Sequence, residues 1–360
     1  MKRGLVVLDP AEVSESEWLG RTAGLRERLA REGVDVALVY GDVFASDDIA
    51  YLTNLCIYWN EGMLAVPAAG AAVGTEVPVF LTKLSPRVHP WMKRVSTVER
   101  IESGRSFGAL VAKLLGASPA GTLGLIDAPL WPASVAEEVR AALPGWEVRE
   151  LPGLVREQRA VVSRAELALL REGARVVARG AEQATAGGLD LYGRTATVER
   201  VVRGAGFLDV QVNTAQAPDD VTCVQVSGQF RTGWLHASRL AGSAAWTAPL
   251  GEALDAAVAA VAAGVTGDAL SAAASDALAR LPEGADAQVR WVNQGDLASG
   301  GEYCGHRGDE PLVPGSVVAV TVDVLFAAGG YAALADTVLV TPDGGERLTR
   351  TTGAREEAAK

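Results

Sequence analysis

The stretch "GGYAALADTVLVTPDGGERLT", Gly329 to Thr349, decides how this chain is read. A strand is expected from Tyr331 to Val340. The Pro342-Asp343-Gly344-Gly345 turn follows, and then a short returning strand, so the segment reads as a hairpin. Within the strand, Ala335 precedes the pair Asp336-Thr337.

Upstream of this hairpin, "SVVAVTVDVLFA" predicts another buried strand. Asp323 lies two residues from Thr321 on it and shares its face of the sheet. A carboxylate inside an apolar strand is costly without a partner. Two readings follow, a structural pairing with Arg239 or a polar network, and an acid–base role. Before that strand, "GGEYCGHRGDEP" gathers Glu302, Tyr303, Cys304, His306, Arg307, Asp309 and Glu310 into one Gly-rich loop.

Further back come "AQVRWVNQG", two Ala-rich helices, and the strands "FLDVQV", "VTCVQVSGQF" and "GWLHASRLAG". The helices "SRAELALLREGARVVARGAEQATAGG" and "RTATVERVVRGAG" precede them, the first opened by a capping box from Ser163 to Glu166. Helices, strands, helices and strands predict two similar halves packed as α+β. The first part of the chain differs. The helix "SESEWLGRTAGLRERLAREG" and the strand "VDVALVY" begin an alternation of helices and strands that ends near Pro152. The expected division is 1–155 as an α/β domain, 156–352 as the α+β domain and 353–360 as a charged tail.

Composition limits the function classes. The 360 residues are 49% hydrophobic and 21% charged, enough for two globular cores. A net charge of -11 opposes direct nucleic-acid binding. No apolar run of about 18 residues suggests a membrane span, and the start has too short an apolar stretch for a signal peptide. Cys56, Cys223 and Cys304 are widely spaced, which fits a reducing, cytoplasmic setting better than a disulfide framework.

The chain resembles the creatinase, prolidase and methionine aminopeptidase family. The motifs that carry the resemblance are "YLTNL" (51–55), "LVREQRAVVSRAELALLREGARV" (154–176), "PLVPGSVVAV" (311–320) and "LADTVLVTPDGGERLT" (334–349). The resemblance covers nearly the whole chain. It implies a pita-bread catalytic-type domain behind an N-terminal creatinase-like α/β domain, and a homodimer. It also implies a site at which the family's peptidases hold two divalent ions with two aspartates, a histidine and two glutamates. Carried over by motif, those positions fall at Gln225, near Ala237, at Gln294, at Thr321 and at Ala335. Amide, hydroxyl and methyl groups are poor or impossible ligands for such ions, so the expectation is no metal and no cofactor.

The family contains a metal-free precedent. Creatinase hydrolyses a C–N bond with a histidine and glutamates, but the loop that carries its histidine corresponds here to "NTAQAPDDVTC", which has none. Acid–base candidates are therefore Glu302, His306, His236 and Asp323. Glu302 matches a family glutamate that borders the substrate. His236 lies beside the second ligand position, and strand alternation decides whether it or Ala237 faces the cavity. Cys304 reads as a small buried hydrophobe and His89 as structural. Gln225, Trp234, Trp291, Gln294, Tyr303, Thr321 and Trp59 are the expected substrate-binding residues, a neutral and aromatic set. Two functions follow. One is a metal-independent enzyme acting on a small nitrogen-containing or aromatic molecule by C–N hydrolysis, elimination or cyclisation. The other is a non-catalytic pseudo-peptidase that binds a small molecule, peptide or protein.

Overall fold

The structure is a computed structural model and describes residues 8–57, 59–295 and 310–350. The chain forms two compact units, residues 1–159 and 160–360.

In the first unit α1 (Glu15–Arg31) starts where Ser14 Oγ accepts the Glu17 amide proton. β1 (Val36–Asp42), α2 (Asp47–Thr53), β2 (Glu61–Pro67), β3 (Val79–Thr82), α3 (His89–Val95), β4 (Arg100–Ser103), α4 (Phe107–Leu115), β5 (Thr122–Ile126), α5 (Ala133–Ala141), β6 (Glu147–Leu151) and α6 (Leu154–Ala160) follow. The strands form one mixed sheet in the order β4-β3-β2-β1-β5-β6. Alternation along β1 sorts its side chains between two cores. Val36 and Leu38 pack with α4 and α5, while Ala37 and Val39 pack with Leu25 and Leu29 of α1.

In the second unit α7 (Arg164–Gln183) opens with a complete capping box, Ser163 accepting from the Glu166 amide and Glu166 from the Ser163 amide. α8 (Leu191–Gly204) leads to β7 (Asp209–Gln216), β8 (Thr222–Phe230) and β9 (Gly233–Ala241). The pattern then repeats as α9 (Thr247–Ala259), α10 (Gly267–Leu278), β10 (Asp286–Asn293), β11 (Val317–Leu325) and β12 (Tyr331–Thr341), with β13 (Gly344–Arg347) returning on β12. The sheet order is β10-β11-β12-β9-β8-β7, so β12 and β9 join the two halves. Gly330 turns into β12 at φ +101°, where a Cβ would press within 3.0 Å of the Gln216 carbonyl oxygen.

The helices of this unit cover one face of its sheet. Leu170, Val177, Val198 and Val202 of α7 and α8 pack with Val224, Val226, Leu235 and Ala237. Leu250, Leu254, Leu270 and Ala274 of α9 and α10 pack with Val318, Val320, Val322 and Val324. Each of the Val and Leu side chains contributes about 1.5–3 kcal/mol through burial. Across β8, β9, β12 and β11 the register carries this parity without a break, so the residues between them in sequence point to the other face.

Candidate functional site

On that other face one line of cross-strand partners runs across the sheet. Gln225 of β8 pairs with Ser238 of β9, Ser238 with Ala335 of β12, Ala335 with Thr321 of β11, and Thr321 with Arg290 of β10. Partners in such a line carry their Cβ atoms about 5 Å apart. Ser238 and Ala335 are fully buried at the bottom, while Gln225, Thr321 and Arg290 are half-buried around them. The alanine before Asp336 is thus the floor of a polar row.

Two residues along, Ser227 pairs with His236 and Thr337 with Ala319. His236 therefore faces the same side as Gln225. Ala237, the expected second ligand position, instead packs against the α7 side in the helix-covered core. The His236 ring is held tightly: its Nδ1 lies 2.8 Å from Ser227 Oγ, and its backbone N–H and C=O both engage the Thr337 hydroxyl. Burial, with the positive charges of Arg290 and Arg239, pushes its pKa down to about 4. His236 is a neutral imidazole at physiological pH.

Two residues the other way, Asp323 is opposite Ala333 on one side and Gln288 on the other. Its Oδ1 takes a hydrogen bond from Arg290 Nε at 3.1 Å and its Oδ2 one from Gln288 Nε2 at 3.4 Å. Arg239 is not its partner, because odd residues of β9 point to the helix-covered face. There Arg239 binds Asp336 instead. Burial raises the Asp323 pKa, and Arg290 only partly opposes this. Nearby, Gln225 Nε2 donates to Tyr331 Oη at 3.2 Å, and Cys223 Sγ lies in a buried network with Ser238 Oγ and the Ala333 backbone. Burial pushes the Tyr331 phenol up to about 12, with the Asp323 charge adding to it. Burial likewise raises the Cys223 thiol, which makes it an unreactive thiol.

Several expected positions lie elsewhere. Trp291 pairs with Val320 and packs with the α9–α10 core, so it faces away from the row. Period-two alternation placed it there, since Arg290 and Val292 take the inner face. Trp234 is only 1% exposed and packs with Ala319 and Val292, which leaves little of the indole to present to a ligand. Gln294 is buried, and its Oε1 accepts from the Trp234 backbone N–H. Trp59 belongs to the first unit, where its ring meets Trp91 edge-on at 5.6 Å. His89 also belongs to that unit, with its Nε2 2.6 Å from Ser103 Oγ. Glu302, Tyr303, Cys304 and His306 lie outside the described residues.

His236 and Asp323 do not form a catalytic pair by themselves. They are separated by four residues along the strands and two strand spacings across, roughly 13 Å and 10 Å. Ser238, Arg290 and Tyr331 were missed by sequence reasoning. The signal for Ser238 was present, since the two-residue Arg231-Thr232 turn, with Arg231 at φ +56°, fixes the β8–β9 register that brings it opposite Gln225.

The two-ion centre implied by the resemblance needs several anionic or imidazole donors converging on one point. The row offers a carboxamide, two hydroxyls, a methyl group and a guanidinium. Among the described residues no three His, Cys, Asp or Glu side chains are grouped to hold an ion. The described side chains do not fit that centre.

Residues 21–161 match the Creatinase/Prolidase N-terminal domain. No curated protein matches the chain. Solved structures match over nearly its full length. The prolidase from Pyrococcus horikoshii OT3 is 15% identical over 92% of this chain and 98% of its own, with a TM-score of 0.71. X-Pro aminopeptidase from Thermotoga maritima MSB8 gives 15%, 92%, 97% and 0.74 in the same order. Dipeptidase PepE from Mycobacterium ulcerans gives 19%, 96%, 97% and 0.69. At these identities the likeness establishes the fold. No helix among the described residues is long and apolar enough to cross a membrane.

Proposed function

We propose that this chain, in which a creatinase/prolidase N-terminal domain precedes the pita-bread fold of the Xaa-Pro peptidases, acts without metal on a small nitrogen-containing or aromatic molecule. The observation that carries this reading is the row Gln225–Ser238–Ala335–Thr321–Arg290. At Gln225, Thr321 and Ala335 it carries an amide, a hydroxyl and a methyl group where the resemblance implies ion ligands, and it adds the Ser238 hydroxyl and the Arg290 cation, a surface for an organic ligand rather than for paired dications.

Without a Lewis acid, chemistry falls to side chains that titrate or donate. Neutral His236, fixed by Ser227, orients or polarises a ligand rather than storing a proton. Asp323 is committed to Arg290. The proton-transfer roles fall to Glu302 as general acid or base and to His306. Replacing Glu302 by Gln in the full-length chain is expected to lower turnover roughly 100-fold while leaving ligand affinity within a few-fold. The assay is C–N cleavage, elimination or cyclisation across a panel of small amides and aromatic amines with chelator present. An unchanged rate in the variant would remove Glu302 from the mechanism.

A second reading, a non-catalytic binding protein, is favoured by one observation: His236, Asp323 and Cys223 each already have hydrogen-bond partners. Binding without turnover across the same panel is its signature. The homodimer belongs to the proposal in either reading, and light scattering at micromolar concentration checks it.

A further inference from the structure

Arg290 is held at one end and open at the other. Its Nε is used by Asp323 Oδ1, and the side chain remains 37% exposed. Among the described residues, neither of its terminal nitrogens has a hydrogen-bond partner. Its cross-strand neighbour Thr321 is half-buried on the same face, and its hydroxyl likewise has no partner among the described residues.

The groups open at this end of the row are the two terminal guanidinium nitrogens, which only donate, and the Thr321 hydroxyl, which can donate beside them. A half-buried cation with two open donors next to a hydroxyl suits an anion, which accepts charge-assisted hydrogen bonds from them. Asp323 further selects its charge. The Arg290 cation is already balanced once, so a second monoanion is tolerated, whereas a dianion brings twice the uncompensated charge to a half-buried site. The fork of a guanidinium whose Nε is occupied offers its two terminal nitrogens in one plane, matching the two oxygens of a carboxylate.

We propose that Arg290, steadied by Asp323 and aided by Thr321, is the anchor for a carboxylate on this protein's ligand. The inference rests on the small-molecule reading above and narrows it to small aromatic or nitrogenous monocarboxylic acids. Arg290 is a binding and specificity residue here, and Asp323 is a positioning residue that acts through it.

The test uses full-length protein, calorimetric titration and thermal shift. The probes are paired acids and methyl esters: hippurate, indole-3-acetate and nicotinate, with inorganic phosphate at pH 8, where it is chiefly the dianion, as the dianionic control. At least one acid is expected to bind wild type at least 10-fold more tightly than its ester, and phosphate is expected to bind more weakly than that acid. Arg290→Met is expected to erase the preference for acid over ester, and Arg290→Lys to restore part of it. Removing Arg290 alone leaves Asp323 unpaired, so Arg290→Met combined with Asp323→Asn is measured beside it. Thr321→Val, a near-isosteric change, should weaken the acid by a few-fold in a protein of unchanged melting temperature. Esters that bind as well as acids, or an Arg290→Met protein that keeps the preference, would overturn the anchor while leaving the small-molecule reading intact. Phosphate bound more tightly than every acid would overturn the monocarboxylate assignment. Silence of every probe in both forms would overturn both.

Discussion

Two aspartates on adjacent strands of the same sheet meet opposite fates. Asp336, on the helix-covered face, is saturated. Arg239 Nη2 reaches its Oδ1 at 2.8 Å, the Thr349 hydroxyl the same oxygen at 2.7 Å, and Arg347 Nε its Oδ2 at 3.2 Å. Arg239 itself spends its other terminal N–H groups on the Ser238, Ala335 and Thr349 carbonyls. Asp323, on the open face, has one arginine and one glutamine, and its arginine ends in unused donors. A closed cluster ties strands together and has nothing left for a ligand. An open one leaves hydrogen-bonding capacity for something that arrives.

The largest effect should come from breaking the closed cluster. Asp336→Ala leaves Arg239, whose side chain is only 20% exposed, with no carboxylate and frees the Thr349 hydroxyl, a change expected to cost about 3 kcal/mol by urea denaturation. Asp323→Asn should cost no more than about 1 kcal/mol, because Arg290 is exposed enough to be rehydrated. Equal losses for the two would collapse the distinction between a structural and a ligand-facing aspartate.

Smaller effects separate the two through pH. The folded pKa of His236 is pushed down to about 4 from an ordinary 6.5, so between those values the unfolded chain binds the proton first. Stability from this group is fully present above about 6.5 and is lost as the pH falls toward 4, by roughly 2 kcal/mol after allowance for its partial exposure. His236→Gln should flatten that acid limb. Asp323 works in the opposite sense. Its folded pKa is raised, so the stability it contributes belongs to the protonated state and is lost as the pH rises above the ordinary aspartate range. Asp323→Asn should therefore steepen the net acid loss seen in denaturation midpoints between about pH 4 and 6.5, and a slope that stays put would show the two groups do not oppose one another.

The architecture was legible because its signals are local and strong. The Ser163–Glu166 capping box, the hairpin from Tyr331 and the Val-rich β11 each appear where periodicity and turn chemistry put them. β3 and β4, four residues each, escaped because so short a run has no measurable period. The site was harder. Gln225, Thr321 and Ala335 were singled out by motif, yet sequence alone does not say that they lie in one line with Ser238 and Arg290, which requires the registers of four strand pairs. Trp291 shows the same limit from the other side. It sits beside Arg290 in sequence, but a single-residue step along a strand carries it to the opposite face.

The most direct test of the account is thermal melting of purified full-length protein with and without excess EDTA, read together with elemental analysis of the same sample. Ions bound only to the native state raise stability by about 4 kcal/mol at 1,000-fold over their dissociation constant. A row without carboxylate or imidazole donors predicts the same melting temperature with and without chelator, and no stoichiometric Mn, Co or Zn. A fall of several degrees on chelation, with two ions per chain in the untreated protein, would contradict it.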